Sequence, residues 1–268
     1  MNAANAQTTI RVTQRRVFVS EWTKLRSVRS TRYALLAAVV LTIGLAAVAS
    51  AVIASRWPGM AAGDRASFNP LDASMVGLNF AQLAIGVLGV LVITGEYSTG
   101  MIRSSLTAVP RRLPVLWAKA GVFAGVTLVL MVPAALIAFF VSQSILSGQH
   151  IQIAFSAPGV ARAVIGAGVY LTVLGVFAMG LGAIVRNTAG AITAFAGILF
   201  VLPGLMHVLP TSWDNAISPY LPSNAGGQIM SIIRDPHSLS PWVGFAVFLG
   251  YTVVVMAIAA VLLVRRDT

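Results

Sequence analysis

The chain has no cysteine among its 268 residues. That excludes disulfides, thiolate metal sites and cysteine nucleophiles. Charge is also scarce, at 9% Asp, Glu, Lys and Arg, against about 25% in ordinary soluble domains. Water-facing surface needs charge, so most of this surface faces something other than water. Acids are the rarest, with 7 Asp and Glu against 18 Lys and Arg. No GxxxxGK[ST] loop occurs, so the chain does not hold ATP in that way. HExxH, GxSxG and kinase signatures are missing too. The three histidines, His150, His207 and His237, are scattered without ligand spacing. No catalytic, cofactor-binding or metal-ligating set emerges, and the chain does not read as an enzyme.

What fills the chain instead is apolar: 57% of residues are hydrophobic and the mean hydropathy is +0.87. A helix that crosses the hydrocarbon core needs about 20 apolar residues. Six runs qualify, at Ala34–Ala54, Met75–Thr94, Ala120–Leu146, Ala163–Val185, Thr188–Leu209 and Trp242–Val264, and none contains Asp, Glu, Lys or Arg. Pro133 and Pro203 lie inside two of them, which spanning helices tolerate. The runs lack the period-two alternation of barrel strands. Only Arg186 and Asn187 separate the fourth run from the fifth, and a single helix of 47 residues is too long for one crossing, so a tight turn is expected there. Gly166, Gly168, Gly175, Gly180 and Gly182 would let the fourth helix approach its neighbours closely. The fold expected is an all-α integral membrane protein of six transmembrane helices.

Six crossings put both termini on one side. That side would hold Arg11, Arg15, Arg16, Lys24, Arg26, Arg29, Arg32, Arg103, Arg111, Arg112, Lys119, Arg186, Arg265 and Arg266. The other would hold only Arg56, Arg65, Arg162 and Arg234. Basic residues gather in cytoplasmic loops, so both termini are assigned to the cytoplasm. The same bias accounts for the net charge of +11 without nucleic acid as a partner. The first apolar run follows a long polar, basic leader, so it reads as a retained anchor rather than a cleaved signal.

Three segments outside the runs carry pattern. In Arg11–Arg32, Phe18, Trp22, Leu25 and Val28 share one helical face ringed by Arg15, Arg16, Lys24, Arg26 and Arg29. This is a basic amphipathic helix suited to the membrane interface. It is either a topology anchor or an elbow that also touches a cytoplasmic partner. In the loop Gly95–Lys119, the spacing of Ile102, Leu106 and Val109 predicts a short helix ending before Pro110, with Glu96 at its positive start. That loop is either an ordinary basic loop or a docking knob. The third, Pro210–Pro241, is long and rich in Pro and Gly. Trp213, Ile217, Tyr220, Leu221, Ile229, Met230, Ile232 and Ile233 within it suggest short helices dipping into the outer leaflet. Inside the spans, Asn79, Gln82, Thr127, Gln143, Tyr170, Thr172 and Thr193 either bond between helices or line a pathway. No Asp, Glu, Lys or Arg lies within the runs, which argues against a proton-coupled pump.

Taken together, SEWTKLRSVRSTRYAL before the first span, GEYSTGMIRSSLTAVPRRLPVLWAKA after the second and SPYLPSNAGGQI before the last make the chain resemble the permeases of ABC-2 type ABC transporters, the compact actinobacterial kind. The second block carries the family's E-x-x-x-G pattern, with Met101 departing from the Thr often found there. The resemblance covers essentially the whole chain. It implies a cytoplasmic segment, residues 1–33, with an interfacial elbow at Phe18, Glu21, Trp22 and Leu25. The transmembrane domain would be residues 34–268, with re-entrant helices before the last span. It further implies a multi-pass protein of the bacterial cell membrane that pairs as a homodimer or with a related permease. A separate ATPase subunit, holding ATP and Mg, would dock on the coupling loop at Glu96, Tyr97, Gly100, Arg103, Leu106, Pro110, Arg111 and Arg112. A translocation route along the second and fifth spans would pass Asn79, Gln82, Thr193 and Phe195. Efflux of hydrophobic or amphipathic compounds, such as drugs, antibiotics, peptides or lipids, is the function it implies. The other classes are a self-sufficient channel or secondary carrier, and a membrane immunity factor that does not transport.

Overall fold

The computed structural model describes residues 14–98, 113–206, 208–233 and 235–266, and those residues contain helices and no strand. Six helices are long and apolar enough to cross a membrane, which makes the chain a multi-pass membrane protein. Helix α1 (Gln14–Ser27) precedes the first span, α2 (Arg29–Arg56). Short α3 (Ala62–Ser67) leads to α4 (Pro70–Ser98). Helices α5 (Leu113–Ser147) and α6 (Val160–Val185) follow. The fifth span is α7 (Thr188–Ala196), a π-helical turn at Gly197–Val201, and α8 (Leu202–Met206). Short α9 (Thr211–Ile217) and α10 (Pro222–Gly227) then lead to the last span, α11 (Pro241–Arg266).

The spans outrun the apolar runs because polar groups inside the helices are satisfied there. Helix α4 starts ahead of Met75: Asn69 accepts from the Leu71 amide at 3.1 Å and donates to Asp72 at 2.9 Å, an N-terminal cap with Pro70 in the first turn. The fifth span widens before Pro203, where the Leu202 amide bonds back five residues to Gly197. A proline ring crowds the carbonyl four residues before it, and a wide turn makes room. The tight turn between the fourth and fifth spans is present. Arg186 adopts a left-handed conformation (φ 58°), and the Asn187 side chain caps α7 by accepting from the Gly190 amide.

Helix α6 is the axis of the bundle. In its most apolar stretch 78% of residues are buried, against 22%, 17% and 28% in the first, fifth and last spans. It packs on α4, α5, α7 and α11. Its glycines make this possible: a Cβ on Gly168 would lie 2.6 Å from the Val132 backbone, and one on Gly180 2.7 Å from Val255. The outer spans leave apolar side chains such as Val40, Val48, Val129 and Val253 exposed, as helices facing acyl chains do.

The segment before the last span forms α9, α10 and two 3₁₀ turns. It is packed on the bundle rather than left as a loop. Gly226 sits against Tyr170 and Phe248, and Gly244 passes the Ala225 carbonyl. Arg162 of α6 donates to the carbonyls of Gln228, Ile229 and Ser231 at 3.4, 3.0 and 2.8 Å. A guanidinium thus meets the open carbonyls where this helical stretch ends.

Candidate functional site

Helices α1, α4 and α5 converge on four charged side chains that sequence distance keeps far apart. Glu21 and Lys24 come from α1, Glu96 from the last turn of α4, and Lys119 from the second turn of α5. Lys119 donates to Glu21 Oε2 at 2.5 Å and to Glu96 Oε1 at 2.8 Å. Lys24 donates to Glu21 Oε1 at 2.8 Å and to Glu96 Oε1 at 3.1 Å. Each carboxylate thus bridges both lysines. Glu21, Glu96 and Lys119 are buried, and the Lys24 side chain is 31% exposed. Glu96 Oε2 is buried without a hydrogen-bond partner among the described residues.

One sequence expectation is corrected here. Glu96 does not start a helix; it sits near the C-terminal end of α4. There the helix dipole opposes a carboxylate, and two ammonium groups offset that cost. On α1, Val17 and Glu21 are buried, while the aromatic residues expected at the membrane interface stay largely exposed. Phe18 and Trp22 are 41% and 49% exposed, Leu25 is half-buried, and Val28 lies beyond the helix as an extended joint (φ −75°, ψ 114°). In a protein bathed in lipid the apolar stripe faces outward, while the polar edge seeks partners inside.

The other side of the α4 end is held as firmly. Thr188 donates to the Thr94 hydroxyl at 2.9 Å. Arg186 lies 5.1 Å from the centre of the Tyr97 ring and donates to the Leu262 carbonyl at 3.1 Å. The end of α4 is therefore tied to α1, α5, α7, the α6–α7 turn and α11. Of the loop positions expected to dock a partner, Glu96 and Tyr97 belong to this cluster. Gly100, Arg103, Leu106, Pro110, Arg111 and Arg112, with the short helix expected around them, lie outside the described residues.

The expected pathway residues do not form one set. Phe195 is fully buried against Gly86, where a Cβ would lie 2.0 Å from its ring. Gln82 is half-buried and accepts from the Tyr170 hydroxyl at 3.2 Å. Asn79 and Thr193 are exposed. Gln143 bonds between elements, donating to Ser74 at 3.0 Å and accepting from the Ile153 amide at 2.9 Å. Among the described residues no group of three His, Asp or Glu could hold a metal ion.

The cluster sets a pH window. Burial pushes the Glu21 carboxyl up, but the charge and hydrogen bonds of Lys119 and Lys24 outweigh it and hold the group below its ordinary 4.5. Burial pushes the Lys24 ammonium down, but its bond to Glu21 and the charge of Glu96 hold it above its ordinary 10.5. The Glu21 contribution is complete above pH 4.5 and is lost as pH falls through the depressed folded value. The Lys24 contribution is complete below pH 10.5 and is lost as pH rises through the raised one. Thermal unfolding should therefore show Glu21→Gln less stable than wild type at neutral pH, with the gap closing below pH 4.5. A gap constant from neutral to acid pH would refute this role for Glu21.

Comparison with protein-family models finds no match, and comparison with curated proteins finds none either.

Proposed function

We propose that the chain is the permease subunit of an ATP-driven exporter of the ABC-2 type, driven by a separate ATPase that docks on the loop at residues 99–112. The observation that carries this is the anchoring of the α4 end, from which that loop departs. A push on the loop reaches Glu96 and Tyr97 first. Through Lys24, Lys119, Thr188 and Arg186 it would then reach α1, the third and fifth spans, the turn between the fourth and fifth, and the last span. An ordinary loop needs no such linkage, whereas a subunit that lacks its own ATP site needs a place to receive work. The Lys119–Glu96 pair is buried and short, at 2.8 Å, and the others are at least partly buried, so together they transmit displacement rather than absorb it.

On this reading the basic end of the bundle is cytoplasmic, and the segment at α9 and α10 forms the re-entrant cover of an outward route. Permeases pair through their lipid-exposed spans, as a homodimer or with a related permease, in a bacterial cell membrane. The mainly apolar bundle suits hydrophobic or amphipathic cargo. The test is co-purification of the full chain with the ATPase encoded beside it, with ATP hydrolysis measured in vesicles. We expect a stable complex whose hydrolysis falls on Arg103→Ala, with assembly retained. No association, or hydrolysis indifferent to Glu96→Gln and Arg103→Ala, would sink the proposal. Solute flux by the chain alone without ATP would make it a channel or carrier instead.

A further inference from the structure

A cleft of about 380 Å³ opens between α1, the start of α2, the end of α4 and α5. Its volume falls in the range of about 300–1,000 Å³ typical of small-molecule sites. Its walls are the apolar side chains of Leu88, Leu91, Val92 and Val122, and its polar residues include Lys24 and Thr31. The geometry points to a binding site here for one anionic phospholipid, its phosphate beside Lys24 and Thr31 and an acyl chain along the α4 wall.

Three observations carry this. The first is the mixed lining, apolar along α4 and polar at the α1–α2 joint, which matches a molecule with a head and a tail. The second is at the joint itself. The first turn of α2 has no side-chain cap, and its amides form the positive end of a 28-residue helix. Thr31 in that turn is only 6% exposed, lines the cleft, and its hydroxyl has no hydrogen-bond partner among the described residues. The third is charge. Both carboxylates at the cleft, Glu21 and Glu96, are already bridged by lysines and at most 10% exposed. Lys24 is the charged group that reaches open space, and the neighbouring Arg26, Arg29 and Arg32 are all exposed. An ammonium headgroup would meet the like charge of Lys24, while both lining carboxylates are already engaged by lysines. A negatively charged one meets a lysine, a hydroxyl, helix amides and a basic rim.

The test needs this chain alone, so its failure leaves the exporter proposal standing. The full-length protein, delipidated in detergent, is offered dioleoyl phosphatidylglycerol or dioleoyl phosphatidylcholine at equal concentration and examined by native mass spectrometry. One phosphatidylglycerol per chain should survive activation that strips phosphatidylcholine. Val92→Phe, which fills the cleft, should cut that retention about fivefold or more, a loss of roughly 1 kcal/mol of binding. Thr31→Val removes the hydroxyl while keeping the shape, and should cut it about twofold. Should Val92→Phe not fold, as judged by lipid-free thermal unfolding, Thr31→Val decides alone. Equal retention of the two lipids by wild type, or undiminished phosphatidylglycerol retention in the folded variants, would overturn the site. So would displacement of the lipid by millimolar inorganic phosphate, which would make it a free-anion site.

Discussion

Replacing Lys119 with methionine is expected to cost about 3–5 kcal/mol of stability, the typical cost of breaking a buried ion pair from one side. Methionine keeps the stem packed, so the loss is electrostatic. Lys119 is 6% exposed and holds Glu21 and Glu96 together. Without it two buried carboxylates share one lysine, and each lacks solvent to replace the lost bond. Thermal unfolding of the purified chain measures the effect. Adding Glu96→Gln should restore part of the loss, because the double variant has one acid and one lysine left, Glu21 and Lys24. That non-additivity is the signature of a network rather than of two independent contacts. A single-variant cost below about 1 kcal/mol would mean that water reaches the cluster, as it does for exposed pairs.

The cluster also shows what the sequence could and could not carry. Apolar runs placed all six spans, and the two residues Arg186 and Asn187 marked a real turn, because both features depend on local chemistry. The span ends were less legible. A run stops at its first charge, yet α4 continues through Glu96 and α5 begins ahead of Lys119, since each is neutralised by the other. The same cluster joins Lys24 to Glu96 and Lys119 to Glu21, residues separated by 72 and 98 positions, and no local pattern encodes such pairings. Glu21 drew notice only as part of a basic helix. Its place beside the aromatic stripe was a usable signal, because a lone acid among the seven cations of Arg11–Arg32 needs a reason. For the elbow, the period placed Phe18 and Trp22 on one face, and both are largely exposed, as an apolar face in lipid would be. The pathway residues show a different limit of local pattern. Phe195 was picked for its span, while its seat is fixed by Gly86 on another helix.

The lever action proposed for α4 also requires that it stay seated on α6, and glycine is what seats it. A Cβ on Gly89 would lie 2.3 Å from the Gly175 carbonyl oxygen. That obstacle is backbone in a central helix, so it cannot swing aside as a side chain could. Gly89→Ala is expected to cost about 1–3 kcal/mol by overpacking, and Gly89→Val more. Gly44 of α2 supplies the contrast. It is exposed, and a Cβ there would meet nothing within 4 Å. Alanine is the better helix former by about 1 kcal/mol in water, so Gly44→Ala should be neutral or mildly stabilising. Thermal unfolding of the two variants side by side separates close packing from helix propensity. Equal shifts would mean that α4 and α6 do not touch along this line. If Gly89→Ala does push the helices apart, the displacement also reaches Glu96 at the end of the same helix. Its bonds to Lys24 and Lys119 should then loosen, so Gly89→Ala and Lys119→Met should cost less together than the sum of their separate effects.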